Sequence, residues 1–460
     1  MALENENTEK NENTEAPKIG SKGVSRRGFL KKSVGLGVGA AGAALLGIEM
    51  PGDSGKAYGI TEHDTFPVEM NSEYKRYDQR GNVFFRGYGG EKQIMPMLNE
   101  YLGKKMGVIP TTGGEGFGQL EFALRGAAWS VEDDINDYHA PGYAGLGLYK
   151  WEGAISPNKY QFSSPDEASK ILKKASLFLG ADKVGIAPYD DRWIYSYSIV
   201  TPDLNKTEGQ KLDHKNSASP DMVFQETKFP FTPTNVLVFV LEMDFDAINA
   251  APGILEHAAV GNEYSDMGNI AHKVASFIRL CGYNAIPCGN DTGLSVPMAI
   301  HAGLGELSRI GILVTPDYGP RVRLCKVITD LPMTPDKPIT FGVKEFCTTC
   351  MKCADACPKQ AISREKEPSF DKATISTSAG VKRWSLNCEK CISNWAELGS
   401  DCAVCIATCP YNKHKEWQHD LARVGTQTPA KSLLRYFDEL FGYGKIDTVQ
   451  KTKEFWNKKS

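Results

Sequence analysis

Two groups of cysteines have the spacing of iron–sulfur ligands. The first group has the pattern C-x2-C-x2-C-x3-C-P and consists of Cys347, Cys350, Cys353 and Cys357. The second group has the pattern C-x2-C-x3-C-P and consists of Cys402, Cys405 and Cys409. In such patterns the closely spaced thiolates hold one cubane, while the cysteine before the proline reaches the other. We therefore predict two [4Fe–4S] clusters that transfer single electrons.

The same spacing assigns the ligands to two sets. Cluster one would take Cys347, Cys350, Cys353 and Cys409. Cluster two would take Cys357, Cys402, Cys405 and a fourth thiolate, for which Cys391 is preferred and Cys388 is the alternative. A zinc site or a disulfide framework is a weaker interpretation, because zinc sites rarely show this double pattern and disulfide-rich chains are usually short. The other cysteines, Cys281, Cys288 and Cys325, are predicted to be buried apolar thiols.

The N-terminal residues have the features of a twin-arginine signal peptide. Arg26 and Arg27 precede an apolar run at residues 34–48, and residues 55–57 end in a small residue suited to cleavage. A membrane-spanning helix is the alternative, but the run is shorter than the roughly 20 apolar residues that a span needs. We predict that residues 1–57 direct export of the folded protein, which suits a chain whose clusters are assembled in the cytoplasm.

The composition indicates a globular protein with a proper core. The 460 residues are 41% hydrophobic, and they include 53 basic and 56 acidic residues with a formal net charge of −3. This balance gives no reason to expect nucleic acid as a partner. Roughly 400 residues follow the leader, enough for one large domain and one small domain.

The residues ahead of the cysteines alternate between helical and strand patterns. Ser164 and Glu167 form a capping box, with Pro165 at the first helical position, and predict a helix that ends near Gly180. Residues 184–188, 235–243 and 285–288 read as strands, and residues 267–280 have helical periodicity. The second strand is apolar throughout, as expected of a strand buried on both faces. This order predicts an α/β (α+β) fold.

Glycines are unusually dense between residues 289 and 319. The region contains neither G-x-G-x-x-G after a strand nor G-x4-G-K-[ST], so a nucleotide site is poorly supported. We interpret the glycines as backbone that lies against a large flat ligand, with ordinary turns as the alternative.

Several segments, taken in order, resemble the catalytic subunit of respiratory reductive dehalogenases. They are the twin-arginine leader, residues 261–267 around Tyr264, residues 286–298, residues 303–306, residues 319–323 and both cysteine motifs. The resemblance implies a nitroreductase-like core that binds a corrinoid in the base-off form, followed by a ferredoxin-like domain with two [4Fe–4S] clusters. The corresponding segments are residues 1–57 (signal), 58–340 (corrinoid-binding core), 341–415 (two-cluster domain) and 416–460 (a C-terminal segment that packs back on the core).

The resemblance also implies the site residues. Tyr264 would be the proton donor, Arg323 its cationic neighbour and Asn290 a supporting amide. A phenol has an ordinary pKa near 10, and an adjacent guanidinium stabilises the phenolate and makes proton release easier. The implied cofactor-binding residues are Thr292, Ser295, Gly303, Gly305, Ser308, Arg309 and Gly319.

The implied function is reductive removal of chloride from a C1–C2 chlorinated alkane or alkene in anaerobic organohalide respiration. The implied partners are a small integral-membrane anchor subunit and a quinol-linked electron donor, and a homodimer is one option. The protein would then lie peripherally on the outer face of the cytoplasmic membrane. The alternatives are an epoxyqueuosine-reductase-like corrinoid enzyme, which would need a basic surface for RNA, and an exported electron-transfer ferredoxin.

Three weaker features complete the sequence. Residues 137–142 fit D-x-H-x-x-G, in which His139 would ligate cobalt, but a strong axial ligand opposes the base-off chemistry and we discount it. An amphipathic patch at residues 433–441 predicts a helix that packs on the ferredoxin part. Five aromatic residues are either pocket walls or core, namely Trp151, Trp193, Tyr195, Tyr318 and Trp395.

Overall fold

The computed structural model describes residues 59–105, 114, 116–135, 147–200, 223–414, 426, 438 and 442–458. The predicted leader, the pattern around His139 and the patch at residues 433–441, apart from Asp438, lie outside these residues. Within the described part, no helix is both long enough and apolar enough to cross a membrane.

Helices and short strands make up most of the described chain. The helices are α1 (Val83–Tyr88), α2 (Met95–Lys105), α3 (Gln119–Ile135), α4 (Pro165–Phe178), α5 (Phe245–Asn249), α6 (Ile254–Leu280), α7 (Ser295–His301), α8 (Val343–Cys350), α9 (Lys352–Ala356), α10 (Cys388–Leu398), α11 (Val404–Ala407) and α12 (Thr448–Asn457). The strands are β1 (Thr61–Glu62), β2 (Lys183–Pro188), β3 (Tyr197–Val200), β4 (Val223–Glu226), β5 (Asn235–Glu242), β6 (Ala285–Cys288), β7 (Glu306–Leu307), β8 (Leu313–Val314), β9 (Val322–Thr329) and β10 (Ile339–Thr340).

A four-stranded sheet with the order β2-β5-β9-β6 lies at the centre. All of its neighbouring strands are antiparallel, with Phe239 of β5 opposite Cys325 of β9. Alternate residues of β5 contribute to two different hydrophobic clusters, one shared with α6 and one shared with α7. Because both faces are covered, the strand has the continuous apolar sequence that predicted its double burial.

Local sequence signals account for the start and end of α4. The hydroxyl of Ser164 accepts a hydrogen bond from the backbone N–H of Glu167, and Pro165 occupies the first turn. Gly180 follows the helix with a φ of 118°, a left-handed value that favours glycine. The predicted helix is therefore confirmed, as are the strands at β2, β5 and β6.

Helix α6 is longer than predicted. Periodicity places its start near Met267, whereas the helix begins at Ile254, so Tyr264 lies within it rather than before it. Residues 254–261 are all buried, because this part of the helix is covered by α3 and by the sheet. A helix that is buried all round has no amphipathic stripe, and for this reason its first turns gave no periodic signal.

The C-terminal part of the described chain packs on the central layers. Helices α8 and α9 follow the sheet, and α10 packs against α2. Helix α12 packs against α5, where the hydroxyl of Thr448 donates to the carbonyl of Ala251. None of the twelve cysteines forms a disulfide, and Cys288 and Cys325 are buried as predicted, whereas Cys281 is half-buried. Helices packed on an antiparallel sheet confirm the predicted α/β (α+β) class in its α+β form.

Candidate functional site

Tyr264 lies at the centre of a buried contact between α6, α3 and the sheet. Its side chain is 9% exposed, and its ring stacks on that of Trp129 at a centroid distance of 5.0 Å. Gly261, one turn earlier on α6, makes this possible, because a Cβ there would lie 2.2 Å from Cδ1 of Trp129. The indole Nε1 donates to the carbonyl of His257 at 3.2 Å. Two helices therefore fix the plane of the phenol.

Arg323 lies against the same ring from strand β9. Its Cζ is 5.1 Å from the centroid of the Tyr264 ring, within the range of a cation–π contact. The Nε of Arg323 is buried and has no hydrogen-bond partner among the described residues. A buried N–H without a partner is costly unless a ligand satisfies it, so this atom marks a place where a bound group would fit.

Asn290 holds the hydroxyl of Tyr264 from the loop after β6. Its Nδ2 donates to the phenol oxygen at 2.6 Å. The loop is braced by the buried carboxylate of Asp291, which accepts from the N–H of Gly289 at 2.6 Å and from the hydroxyl of Thr292 at 2.6 Å. Thr292 has a φ of 69°, a strained value for a β-branched residue. The structure thus brings Tyr264, Arg323 and Asn290 together, as the resemblance implies.

The surroundings of Tyr264 keep its phenol protonated. Burial raises the pKa of Tyr264, and the Arg323 guanidinium and the Asn290 amide oppose this rise only in part. A buried phenol that carries its proton beside a cation and an amide donor can act as an acid, because both neighbours stabilise the phenolate that forms.

The first cysteine set lines one small pocket. The cysteines in its wall are Cys347, Cys350, Cys353 and Cys409. These are the four residues that the spacing assigns to cluster one, and they come from α8, α9 and the residue before Pro410. Thiols that surround a space fit a cluster of several iron and sulfur atoms better than a single metal ion.

The second cysteine set lies between α10 and α11. Burial raises the pKa of the Cys391 thiol to about 12, and the thiols of Cys402, Cys388 and Cys357 add to the rise. Burial likewise raises the pKa of Cys405, with Cys402 and Cys391 as the next causes. Cys357, Cys391, Cys402 and Cys405 are thus near enough to influence one another, and Cys388 and Cys353 border the group.

Cys388, the alternative ligand, has different neighbours. After burial, the strongest influences on its pKa are Arg383, which lowers it, and Glu389, which raises it. Its thiol lies 3.9 Å from the carbonyl of Leu386. Because Cys402 and Cys357 influence Cys391, while Arg383 and Glu389 are the main influences on Cys388, Cys391 stays the preferred ligand, and the assignment stays a prediction.

The predicted cofactor-binding glycines meet the chain's own backbone. A Cβ on Gly303 would lie 2.4 Å from the carbonyl oxygen of Lys337, and one on Gly305 would lie 2.1 Å from that of Val314. At Gly319 the corresponding distance, to the carbonyl oxygen of Tyr411, is 2.1 Å. Internal packing is thus sufficient reason for glycine at these positions, and contact with a flat ligand stays a prediction.

The predicted polar cofactor residues are also engaged within the protein. The hydroxyl of Ser295 accepts from Nζ of Lys326 at 3.1 Å, and that of Ser308 donates to the carbonyl of Ile312 at 2.9 Å. Arg309 is buried and donates to the carbonyl of Cys347 through Nε at 3.1 Å and through Nη2 at 2.6 Å. Arg309 therefore braces the loop of the first cysteine set.

The five predicted aromatic residues do not form one pocket wall. Trp193, Tyr318 and Trp151 belong to the cluster on the α7 side of the sheet. Trp395 packs elsewhere, with ring centroids 5.7 Å from Tyr101 and 5.9 Å from Phe84. The ring that contacts Tyr264 is Trp129, which no spacing in the sequence singled out.

Sequence reasoning also missed a buried polar network next to the second cysteine set. Tyr101 donates its hydroxyl to Asp401 at 2.7 Å, and Nε2 of His257 lies 3.5 Å from the same carboxylate oxygen. Nδ1 of His257 is 3.2 Å from the hydroxyl of Ser400. Because His257 lies on α6, the network connects the helix of Tyr264 to the residues immediately before Cys402. No local pattern could have shown this, since the partners are far apart in sequence.

Comparison with known sequences gives a consistent result. Residues 346–412 match the family described as the 4Fe-4S double cluster binding domain. A tetrachloroethene reductive dehalogenase from Desulfitobacterium hafniense is 38% identical, over 94% of this chain and 98% of that protein. The tetrachloroethene reductive dehalogenase from Sulfurospirillum multivorans is 34% identical, over 70% of this chain and 68% of that protein. A trichloroethene reductive dehalogenase from Dehalococcoides mccartyi is 25% identical over 71% of this chain and 62% of that protein.

Solved structures share the fold. A catabolic reductive dehalogenase superposes with a TM-score of 0.64 at 22% identity, over 85% of this chain and 50% of that chain. A second reductive dehalogenase structure, described as suggesting a mechanism for B12-dependent dehalogenation, has a TM-score of 0.62 at 22% identity. This chain therefore spans about half the length of these solved chains, and the described core has their architecture.

Proposed function

Because the chain belongs to the reductive dehalogenases, which are oxidoreductases that act on carbon–halogen bonds, we propose that it removes chloride from a small chlorinated alkane or alkene with one or two carbons. Relatives that match most of the chain are named for tetrachloroethene, and a more distant one for trichloroethene. The observation that carries the proposal is the buried phenol of Tyr264, held by Asn290 and Arg323 in a chain that also carries two sets of four cysteines.

The reaction defines what the residues must do. Replacement of chlorine by hydrogen follows R–Cl + 2e⁻ + H⁺ → R–H + Cl⁻, so the site must supply two electrons and one proton. When bound, the corrinoid supplies a strongly reducing cobalt centre, and the two [4Fe–4S] clusters supply its electrons one at a time.

Tyr264 is proposed to give the proton. Its pKa is raised by burial, so the phenol carries its proton before reaction. As the proton leaves, the Asn290 amide donates to the phenolate oxygen, and the positive charge of Arg323 stabilises the new negative charge. Trp129 keeps the ring in the plane that points its hydroxyl at Asn290.

The residues that would hold the cofactors follow from the geometry. The cavity of the first cysteine set and the grouping of the second fit two cubanes. The buried Nε of Arg323 offers a donor at the edge of the Tyr264 site, and this fits a bound corrinoid or substrate. Binding of the corrinoid in the base-off form, and its contacts with residues 292–319, are proposed on the family resemblance.

The cellular setting is proposed on the same resemblance and on the leader sequence. The protein would be exported by the twin-arginine pathway and would lie on the outer face of the cytoplasmic membrane, held by a small integral-membrane anchor subunit. A quinol-linked donor would supply the electrons for anaerobic respiration, and the enzyme would act alone or as a homodimer.

Metal content and turnover of the anaerobically purified holoprotein test this function. We expect one cobalt and about eight irons per chain, together with chloride release from chlorinated methanes, ethanes or ethenes driven by a low-potential dye. About eight irons without cobalt, in protein from a host that supplies corrinoid, would contradict the proposal and leave an electron-transfer protein.

A further inference from the structure

The cavity of the first cysteine set has a buried cation in its wall. Arg309 lines the cavity and is 1% exposed. Its guanidinium donates to the carbonyls of Cys347, Ser363 and Glu365 rather than to a carboxylate, with the Nη1 contacts at 2.8 and 2.7 Å. Carbonyl partners satisfy the N–H groups, and Arg309 forms no ion pair among the residues that the structure describes. An arginine stays protonated in a protein interior.

Two buried lysines lie close to the same cysteines. Lys352 stands between Cys350 and Cys353, and its Nζ is 2.8 Å from Oδ2 of Asp438. Lys413 also pairs with Asp438, and its Nζ donates at 2.7 Å to the carbonyl of Pro410, which lines the cavity. The side chains of both lysines and of the aspartate are less than a tenth exposed. Two cations therefore share one carboxylate.

Two other acids near this cavity, Asp355 and Glu306, add little negative charge to it. Asp355 pairs with Arg364 at 2.6 Å near the surface, where solvent screens both charges. Glu306 is buried and accepts from the backbone N–H groups of Val343 and Lys344 at 3.1 and 3.3 Å. Burial raises its pKa to about 7, so this carboxyl is partly neutral near pH 7.

The surroundings of the second cysteine set contrast with this. Asp401 directly precedes Cys402 and accepts a hydrogen bond from Tyr101 at 2.7 Å. Glu256 is fully buried next to Ala403, and burial raises its pKa well above the ordinary value, so this carboxyl is neutral near pH 7. The acidic group beside the second set is thus Asp401, where the first set has a guanidinium and two lysine side chains.

We propose that Arg309, Lys352 and Lys413 raise the reduction potential of cluster one above that of cluster two. Reduction adds one negative charge to a cluster, and buried cations nearby stabilise that charge, because the interior screens them weakly. Cluster one would then keep its electron longer, and cluster two, the cluster beside the helix of Tyr264, would be the stronger reductant. The inference rests on the two clusters and not on the substrate, so its failure would leave the proposed function intact.

A redox titration of the holoprotein without substrate tests the proposal. Electron paramagnetic resonance reports how much of each cluster is reduced at each potential. The wild-type protein should show two separate midpoint potentials. Lys352→Met and Lys413→Met should each lower the higher midpoint potential. The expected change is about tenfold in the equilibrium constant for reduction of that cluster, which corresponds to 59 mV for one electron. The lower potential should stay within error. Each preparation is checked for its full iron content before titration.

Two control variants separate charge from packing. Lys366→Met removes an exposed lysine next to Glu365, whose carbonyl accepts from Arg309, and it should move neither potential, because solvent screens an exposed charge. Asp438→Asn breaks both buried ion pairs without removing a cation, so the higher potential should not fall. A single shared midpoint potential in the wild type would overturn the proposal. So would lysine variants that leave the higher potential unchanged, or an Asp438→Asn variant whose higher potential falls as far as in the lysine variants.

Discussion

Three side chains from separate elements act on one phenol at Tyr264. Asn290 donates from Nδ2 to the hydroxyl at 2.6 Å, and Trp129 stacks on the ring. The Cζ of Arg323 lies 5.1 Å from the ring centroid. Asn290 and Trp129 restrict the orientation of the ring, and the positive charge of Arg323 favours the phenolate form. A phenol held this firmly keeps one orientation, as the proposed proton transfer requires.

Replacing Tyr264 with phenylalanine removes the proton and keeps the stacked ring. We expect Tyr264→Phe to lower the turnover number by about 10²–10⁴-fold, the usual contribution of a general acid, with unchanged cobalt and iron. Tyr283→Phe is the matched control, because Tyr283 is also buried on the same side of the sheet but donates its hydroxyl to the carbonyl of Tyr160. Retention of more than a few per cent of activity in Tyr264→Phe would show another donor.

Cys388 and Cys391 distinguish two ligand assignments for cluster two. Both lie on α10, one turn apart, yet Cys391 faces the other thiols and Cys388 lies near Arg383 and Glu389. We expect Cys391→Ala to lose up to about half of the eight irons, or more if the cluster-binding region loosens, and Cys388→Ala to keep about eight. Iron analysis of the two variants, purified side by side without oxygen, checks this. The reverse pattern would make Cys388 the ligand.

At the scale of elements, the contact between α3 and α6 depends on a missing side chain. Gly261 leaves room for the indole of Trp129, which lies deeper between the helices than any Cβ would allow. The same contact positions Tyr264 one turn later. The contact between Gly261 and the Trp129 indole therefore sets both the packing of α3 on α6 and the orientation of the Tyr264 ring.

Two glycine substitutions test this contact. Gly261→Ala should destabilise the protein by about 1–3 kcal/mol through overpacking and should reduce turnover, since the indole must shift. Gly126→Ala is the control on α3, because nothing lies within 4 Å of its added Cβ, and it should stabilise the helix by roughly 0.5–1 kcal/mol. Thermal or chemical unfolding measures the free energy of unfolding of both variants. Equal values would show that α3 can move away from the added methyl group without cost.

The elements also show where sequence patterns were sufficient and where they were not. Ser164 and Gly180 give α4 its ends by local hydrogen bonding and backbone conformation, so the pattern predicted that helix closely. The first turns of α6 are buried all round, which removes the periodicity on which prediction depends. The glycines at residues 303 and 305 suggested a flat ligand, while the neighbouring backbone of the chain itself fills the space that a Cβ would need.

At the scale of the molecule, the α/β class and the two-cluster domain were accessible from sequence because each has a local signature. The cysteine spacing is short-range, and the apolar run of β5 reports its burial directly. Long-range partners have no such signature. The pairing of Asp438 with Lys352, the stacking of Trp129 on Tyr264 and the bond between Tyr101 and Asp401 each join segments far apart in sequence. Tyr264 itself was recognised only through the family resemblance.

The interleaved cysteine sets have a consequence for biosynthesis. The cavity of the first set needs Cys409 as well as Cys347, Cys350 and Cys353, and the second set draws on Cys357 from the earlier motif. With these predicted ligands, the second cubane cannot be completed until the ribosome has made the chain through residue 405, and the first not until residue 409. The strands and helices that carry Tyr264, Asn290 and Arg323 are all made earlier, since domains tend to fold in the order of synthesis. Metal insertion is thus a late maturation step on a largely formed core, and a chain that stalls between the two motifs would have no complete cluster.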